Sequence, residues 1–531
     1  MKKINDHINN AFDLSYLDST GFPDTRFNTV GILGGGTAGY LTALALRRAH
    51  PKLQITIIES SKIPVIGVGE STTTEIVPFL HHFLGLDPIE FFQEVKPTLK
   101  FGIEFDWGYP GDYKFNFNFF AAHHLESYYY EGDIKNSSWP SVLIHNKKIP
   151  IIRDASGEMA SFLTSIPFSY HIDNKNLIQY LHKKVMSAGI SILDTEVKNI
   201  HLDDNKFVSS LSSDDHKNIK FDFYIDCSGF RSKILGNALK TPFISYESTL
   251  ITDKALTFDM PNNQNIDPFT SVITMNNGWC WKIPMRTEDH YGYVFSSKFC
   301  SEEEALEEVQ KKFGKIKSHK IINFRSGRHE LAWNKNVFSV GNAYAFIEPL
   351  ESTAIQTVIQ TIMTLCKLMP NSTNDISSIT GINKEIAASW DTFRSFIGVH
   401  YKFNKKLDTE FWKWCRDNTE IGDAAEIIKL FNERPPLSKT NFGSAEGFTA
   451  HEPLVFNSNS YDTILFGQKE VHTKLPMPLM TKEDYFSKCE SYKFLSDAAI
   501  TQQELFADEE MAIEEVFIPL FSDQDSWIVE T

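Results

Sequence analysis

Cysteine is scarce in this chain and scattered. The six present (Cys227, Cys280, Cys300, Cys366, Cys415 and Cys489) include no C-x-x-C pair. That pattern argues against a zinc finger or a disulfide scaffold, so no metal is expected, and it fits a reducing, cytoplasmic setting. No run approaches the roughly 18 apolar residues of a membrane span. The opening Met1-Lys2-Lys3-Ile4-Asn5-Asp6 leads into polar residues with no apolar signal core, so neither membrane nor export is expected. Basic residues are outnumbered, 52 against 68 acidic, for a net charge of −16. Nucleic acid and anionic membrane surfaces are therefore not expected partners. Internal repeats and low-complexity tracts are also lacking.

What is present is length and aromatic side chains. At 531 residues, 13% of them aromatic and 42 of them Phe, the chain can build two or more lobes around a large core. An aromatic-lined substrate pocket fits within that surplus. Residues 1–26 read as a loose N-terminal arm. Then Asn28-Thr29-Val30-Gly31-Ile32-Leu33 forms a short apolar strand, followed at once by Gly34-Gly35-Gly36-Thr37-Ala38-Gly39. A helix from Tyr40 to Ala49 stops before Pro51. A second strand, Gln54–Ile58, ends in Glu59. This is G-x-G-x-x-G in its confirming context: strand before, helix after, and an acidic residue closing the next strand. The glycines allow a tight turn and close backbone approach, the helix N-terminus takes a pyrophosphate, and Glu59 bonds the ribose.

Further along, Ile66-Gly67-Val68-Gly69-Glu70-Ser71 is a second glycine-rich turn able to approach a cofactor. Residues 74–94 read as helical, and the later part of 96–105 alternates like a strand. Residues 106–150 show little periodicity and read as loops of a substrate lobe. A helix is expected over Asp173–Met186 and a strand-turn over Ile190–Ile200. Residues 221–230 form a strand ending at Asp226, with a small-residue turn behind it. Val337–Val340 is a buried strand, followed by the turn Gly341-Asn342-Ala343. The loop Glu348-Pro349-Leu350-Glu351-Ser352-Thr353-Ala354 precedes a helix with apolar residues at Ile355, Val358, Ile359, Ile362, Leu365, Cys366 and Met369. Ser352 or Thr353 is its expected cap, and its first turn is an anion site. Residues 380–420 are strongly helical, and 430–480 loop-like.

One further stretch, Trp279-Cys280-Trp281-Lys282-Ile283-Pro284, places two indoles on one face of a strand. Together with Gly34–Gly39 (Tyr40 standing where Trp is usual), Ile66–Thr72 and Pro349–Thr353 (Ala354 standing where Gly is usual), it resembles the flavin-dependent halogenases, and the tryptophan halogenases in particular. Phe396-Ile397, His400-Tyr401 and Phe411-Trp412 resemble the helical lobe of that family. The likeness covers roughly residues 28–470.

The resemblance implies an α/β fold: a Rossmann-like FAD-binding domain of the flavin monooxygenase type with a mixed-sheet substrate region over 27–370, and a mostly helical lobe over 371–531 completing the substrate site. It implies FAD supplied as FADH2 by a separate NAD(P)H-dependent flavin reductase, with molecular oxygen and a halide ion (chloride, bromide or iodide). A C4a-hydroperoxide would convert halide to hypohalous acid, which reaches an electron-rich arene through an internal tunnel. The catalytic pair is implied to be Lys100 and Glu351. Lys96 is the alternative lysine, but an ungapped reading from the Gly67–Glu70 block falls on Lys100. Thr353 and Ala354 are implied to hold the halide, and Trp279 and Trp281 to bar substrate from the flavin. Cofactor contacts are expected from Gly34, Gly35, Gly36, Thr37, Ala38, Gly39, Glu59, Ser60, Ile63, Val68, Ser71, Asn342 and Ile355. Phe119, in Phe117-Asn118-Phe119, is the candidate for gripping substrate. No residue over 440–470 is identifiable as a grip for the amino and carboxylate ends of free tryptophan, so an indole, tryptophan-like or phenolic substrate is expected. A homodimer is common in the family. An FAD-dependent aromatic hydroxylase is the alternative activity, and a flavin-binding protein without catalysis is a third reading.

Overall fold

The computed structural model describes residues 22–63, 69–119, 138–153, 157, 159–163, 165–262, 265–433, 437, 456–469 and 481–521. A six-stranded sheet runs in the order Ser191–Asp194, Gln54–Glu59, Thr29–Leu33, Phe223–Asp226, Val337–Ser339 and Trp333–Asn334. All its pairings are parallel except the last. Chain order reverses at Thr29–Leu33, so the Gly34 turn leaves the sheet at its switch point, where such sheets bind ligands. Its Val30 and Ile32 are fully buried, as a strand covered on both faces requires.

The helix after the turn begins at Thr37, ahead of the expected Tyr40, because Gly36 takes the extended N-cap conformation without a side-chain cap bond. Residues 74–94 are not one helix. A wide π-type turn, Pro78–Phe83, gives way at Gly85, whose φ of +66° breaks the run, and a new helix Pro88–Val95 starts on the Asp87 cap.

A mixed seven-stranded sheet carries the tryptophan strand, in the order Lys320–Asn323, Lys254–Pro261, Glu288–Phe295, Gly278–Pro284, Thr270–Met275, Gly102–Asp106 and Phe115–Asn118. The last of these, and the helix Trp139–His145, lie where the sequence predicts loops. Phe115 stacks on Phe105 across the strand pair at 5.1 Å, a cross-strand contact too short-ranged to leave a periodic signal. A small antiparallel sheet, Gly69–Ser71, Ser169–Asp173 and Thr98–Lys100, is hydrogen-bonded to the seven-stranded one through Ser71–Thr270 and Thr98–Pro284, with Ser71, His171 and Thr98 in register.

Helices Ala354–Leu368, Ile376–Phe403, Glu410–Asn418 and Ala424–Glu433 follow. Helix Ser458–Gly467 corrects the loop expected around it: Asn457 caps it and all its residues but Asn459 are buried. One continuous apolar cluster includes Phe27 of the sheet region, Ile359 and Trp412 of the helices, and Leu520 near the C-terminus. Among the described residues no helix is long and apolar enough to cross a membrane.

Candidate active site

A cavity of about 810 Å³ opens at the switch point. Its walls include Gly34, Gly35, Gly36, Thr37, Ala38, Glu59, Ser60, Ile63, Ser71, Asn342, Ala354 and Ile355, all singled out from sequence. The glycines are there for closeness. Gly34 sits at φ +124°, where a Cβ would lie 2.3 Å from the Cys227 carbonyl oxygen, whereas a Cβ on Gly36 would meet nothing within 4 Å. Gly36 therefore faces open space at the uncapped N-terminus of the helix, where N–H groups and the dipole suit a pyrophosphate. Glu59 is oriented by Tyr40, whose hydroxyl donates to Glu59 Oε2 at 2.7 Å. The donors, the volume and the acidic ribose partner fit a flavin dinucleotide. Gly39 is not on the wall: a Cβ there would lie 1.9 Å from the Gly34 oxygen, so its place is helix–strand packing. Val68 falls outside the described residues.

The two indoles part company. Trp281 lines the cavity, lying over Gly292, where any Cβ would strike its ring at 1.9 Å. Trp279 stands behind it, centroid to centroid 5.9 Å, fully buried, with Nε1 donating to Glu348 Oε1 at 3.2 Å. Lys100 is buried and lies off the cavity wall. Its Nζ donates to the Thr72 carbonyl at 2.7 Å and sits 5.2 Å from the centre of the Phe119 ring. Burial pushes the Lys100 ammonium down to about 7, against the opposing pull of Glu351 and then Glu75. Lys96, by contrast, is an exposed helix C-cap in a left-handed conformation. Glu351 is buried with Oε1 at 2.6 Å from His400 Nε2.

A family model described as tryptophan halogenase matches residues 29–484. The chain belongs to the tryptophan halogenase family. It is thus a flavin-dependent halogenase, and the hydroxylase and non-catalytic readings fall away. Tryptophan 6-halogenase ThaL of Streptomyces albogriseolus is 30% identical over 476 residues, covering 84% of this chain and 90% of that protein. Tryptophan 7-halogenase RebH of Lentzea aerocolonigenes is 29% identical, covering 83% and 89%. The crystal structure of MibH, a lanthipeptide tryptophan 5-halogenase, superposes with a TM-score of 0.88 at 38% identity, covering 95% of this chain and 98% of that one.

In this halogenase the loop before the helix Ala354–Leu368 departs from expectation at one point. Ala354 is its first helical residue and is absent from the positions of positive φ, so replacing glycine there brings no backbone strain. The left-handed residue is Ser352, at φ +61°. Its hydroxyl is 2.8 Å from that of Ser71 and does not cap the helix. Thr353 holds the N-cap position without a side-chain cap bond and is buried off the cavity wall. Sequence reading assigned no role to His400, Thr72, Glu70 or Glu348. Glu70 lines the cavity, and burial holds its carboxyl up at about 7. Its signal in the sequence is its place in the glycine-rich turn Ile66–Ser71. The contacts of His400 and Thr72 join segments too far apart in sequence to be read there.

Proposed function

We propose that the enzyme makes hypohalous acid at the Gly34 cavity and uses it at Lys100 and Glu351 to halogenate a tryptophan-like indole. Bound FADH2 with oxygen supplies the oxidising equivalent for the halide. The observation that supports this reading is the separation of two sites: a dinucleotide-sized cavity walled in part by Trp281, and, off its walls, a buried, weakly basic amine. Gly34–Ala38, Glu59, Ser60, Ile63, Ser71, Asn342 and Ile355 hold the flavin, with Val68 assigned by resemblance alone. Thr353 and Ala354 hold the halide at the helix N-terminus, where the dipole favours an anion. Trp281 and Trp279 keep the arene from the cofactor, so only a small relay species crosses.

Lys100 presents the electrophilic halogen, and its desolvation makes the free amine accessible near neutral pH. Glu351 supplies and removes protons at the ring, and Phe119 packs against the arene. Residues 27–370 and the helices over 371–531 together enclose the substrate. An indole within a peptide is favoured over free tryptophan, because the 38% identical MibH is named for a lanthipeptide. A separate NAD(P)H-dependent reductase supplies the reduced flavin. The test is an assay with FAD, a flavin reductase and NADH, offering chloride, bromide and iodide in turn against tryptophan-containing peptides, tryptophan, indole and phenols, with mass spectrometry of products. Products carrying halogen on a peptide indole support the reading, and an inert peptide series beside active free tryptophan overturns the substrate assignment.

A further inference from the structure

His400 and Glu351 have a proton inventory fixed by the helix backbone. His400 Nδ1 lies 2.9 Å from the Phe396 carbonyl, one turn back in the same helix. A carbonyl only accepts, so Nδ1 carries a hydrogen. Nε2 lies 2.6 Å from Glu351 Oε1. With Nδ1 already protonated, a hydrogen bond at Nε2 needs a second proton, either on the ring or on the carboxyl. The pair therefore holds one proton between two atoms, as imidazolium–carboxylate or as imidazole–carboxylic acid, and its net charge is zero in both forms.

The surroundings preserve that arrangement. The two side chains are 0% and 2% exposed. The ring of Phe396 lies 4.9 Å from the imidazole and that of Phe105 5.6 Å. The titratable groups facing the pair are Lys100, on the Glu351 side, and Glu348, on the His400 side. Glu348 is itself tied to Trp279 and Thr252. A lone ionised carboxylate at this place would first have to take the proton it donates from bulk water. A carboxylate sharing a proton with a fixed imidazole does not.

We propose that His400 is a positioning residue that keeps one proton in common with Glu351, so that Glu351 acts as acid and then as base within a single turnover. This rests on the roles given above to Lys100 and Glu351. As the halogen passes to the arene carbon, the O–X bond of the hypohalous acid breaks and the shared proton goes to its oxygen, giving water. The C–X bond forms, and the ring becomes cationic. The ring C–H bond then breaks, its electron pair returns to the ring, and its proton goes to Glu351, restoring the pair. The sum is hypohalous acid plus arene to aryl halide plus water, whether or not Lys100 carries the halogen in between.

Two measurements test this. The first is NMR of the holoenzyme labelled with 15N-histidine, the His400 signals identified by their loss in His400→Gln. Nδ1 is expected to carry a hydrogen, as its carbonyl partner requires, and Nε2 to share one with Glu351. In Glu351→Gln the same ring should become an ordinary neutral imidazole with a bare Nε2. An Nε2–H tautomer in the wild type, or a His400 indifferent to Glu351→Gln, overturns the proposal. The second is the pH profile of single-turnover halogenation in His400→Gln, which preserves a hydrogen bond but cannot share the proton. Halogen transfer should fall at least about tenfold, with KM unchanged and the remaining rate confined to acidic pH. A wild-type rate and profile overturns the proposal. Should the wild type halogenate no arene offered, the roles of Lys100 and Glu351 fail, while the NMR still decides whether the proton is shared.

Discussion

Lys100 Nζ donates to the carbonyl of Thr72 at 2.7 Å, and Thr72 directly follows Ser71 on the cavity wall. A single turn of chain thus has one residue at the cofactor cavity and the next on the buried amine. The same carbonyl also accepts from the Ser169 hydroxyl at 2.8 Å, and the Thr72 hydroxyl donates to Tyr170 O at 2.6 Å. The amine is thus held by the residue that follows the strand Gly69–Ser71, itself hydrogen-bonded to the neighbouring strand Ser169–Asp173.

Burying Lys100 costs stability. Its ammonium is pushed from 10.5 to about 7. The unfolded chain therefore binds a proton that the folded chain has lost over that interval, and folding stability contributed by this site rises with pH from about 7 to 10.5. Below that window the burial penalty is fully present. Lys100→Met, close in volume and without charge, should raise the melting temperature at pH 7 while abolishing halogenation. A melting temperature at or below the wild type would mean that the amine is not desolvated.

Glu351→Gln should lower turnover by about 10²-fold or more, the scale of a positioned acid–base group. FAD binding, measured by flavin fluorescence, should be unchanged, because Glu351 is not on the cavity wall. A rate equal to the wild type would make Glu351 structural.

Tyr40 stands where the family pattern has tryptophan, and its hydroxyl orients Glu59. Removing a hydrogen bond to a charged acceptor costs about 1.5 kcal/mol, so Tyr40→Phe should weaken FAD binding roughly tenfold. Isothermal titration with oxidised FAD measures it. An unchanged affinity would show that Glu59 does not depend on the phenol.

Ala354 departs from the family pattern without strain, since its backbone is helical. Ala354→Gly should therefore lower stability by about 0.5–1 kcal/mol, the helix propensity difference, and leave the order of halide preference as it is. Chemical denaturation gives the first quantity, and competition between chloride and bromide gives the second.

The parts of this protein that were readable from sequence are those with local signals. The Gly34–Gly39 turn and Glu59 announce their chemistry because strand, turn, helix and acidic residue all lie within one βαβ unit. Apolar periodicity similarly predicted the helix after Ala354. The parts that were not readable depend on residues distant in sequence. His400 meets Glu351 across 49 positions and Lys100 meets Thr72 across 28. Ser352, not Ala354, takes the left-handed backbone, and its hydroxyl pairs with Ser71 across 281 positions. The strand Phe115–Asn118 was hidden for a related reason: its apolar residues face a neighbour, Phe105, that only the folded sheet supplies.

In the proposed function, halide oxidation and halogen transfer occur in separate compartments, with Lys100 needed only for the second. Lys100→Ala tests it most directly. The purified variant is given FAD, a flavin reductase, NADH and bromide, together with the indole substrate and a small diffusible trap for hypobromous acid. Brominated trap at the wild-type rate, with no brominated indole, is the predicted result. Brominated indole at the wild-type yield would contradict the account.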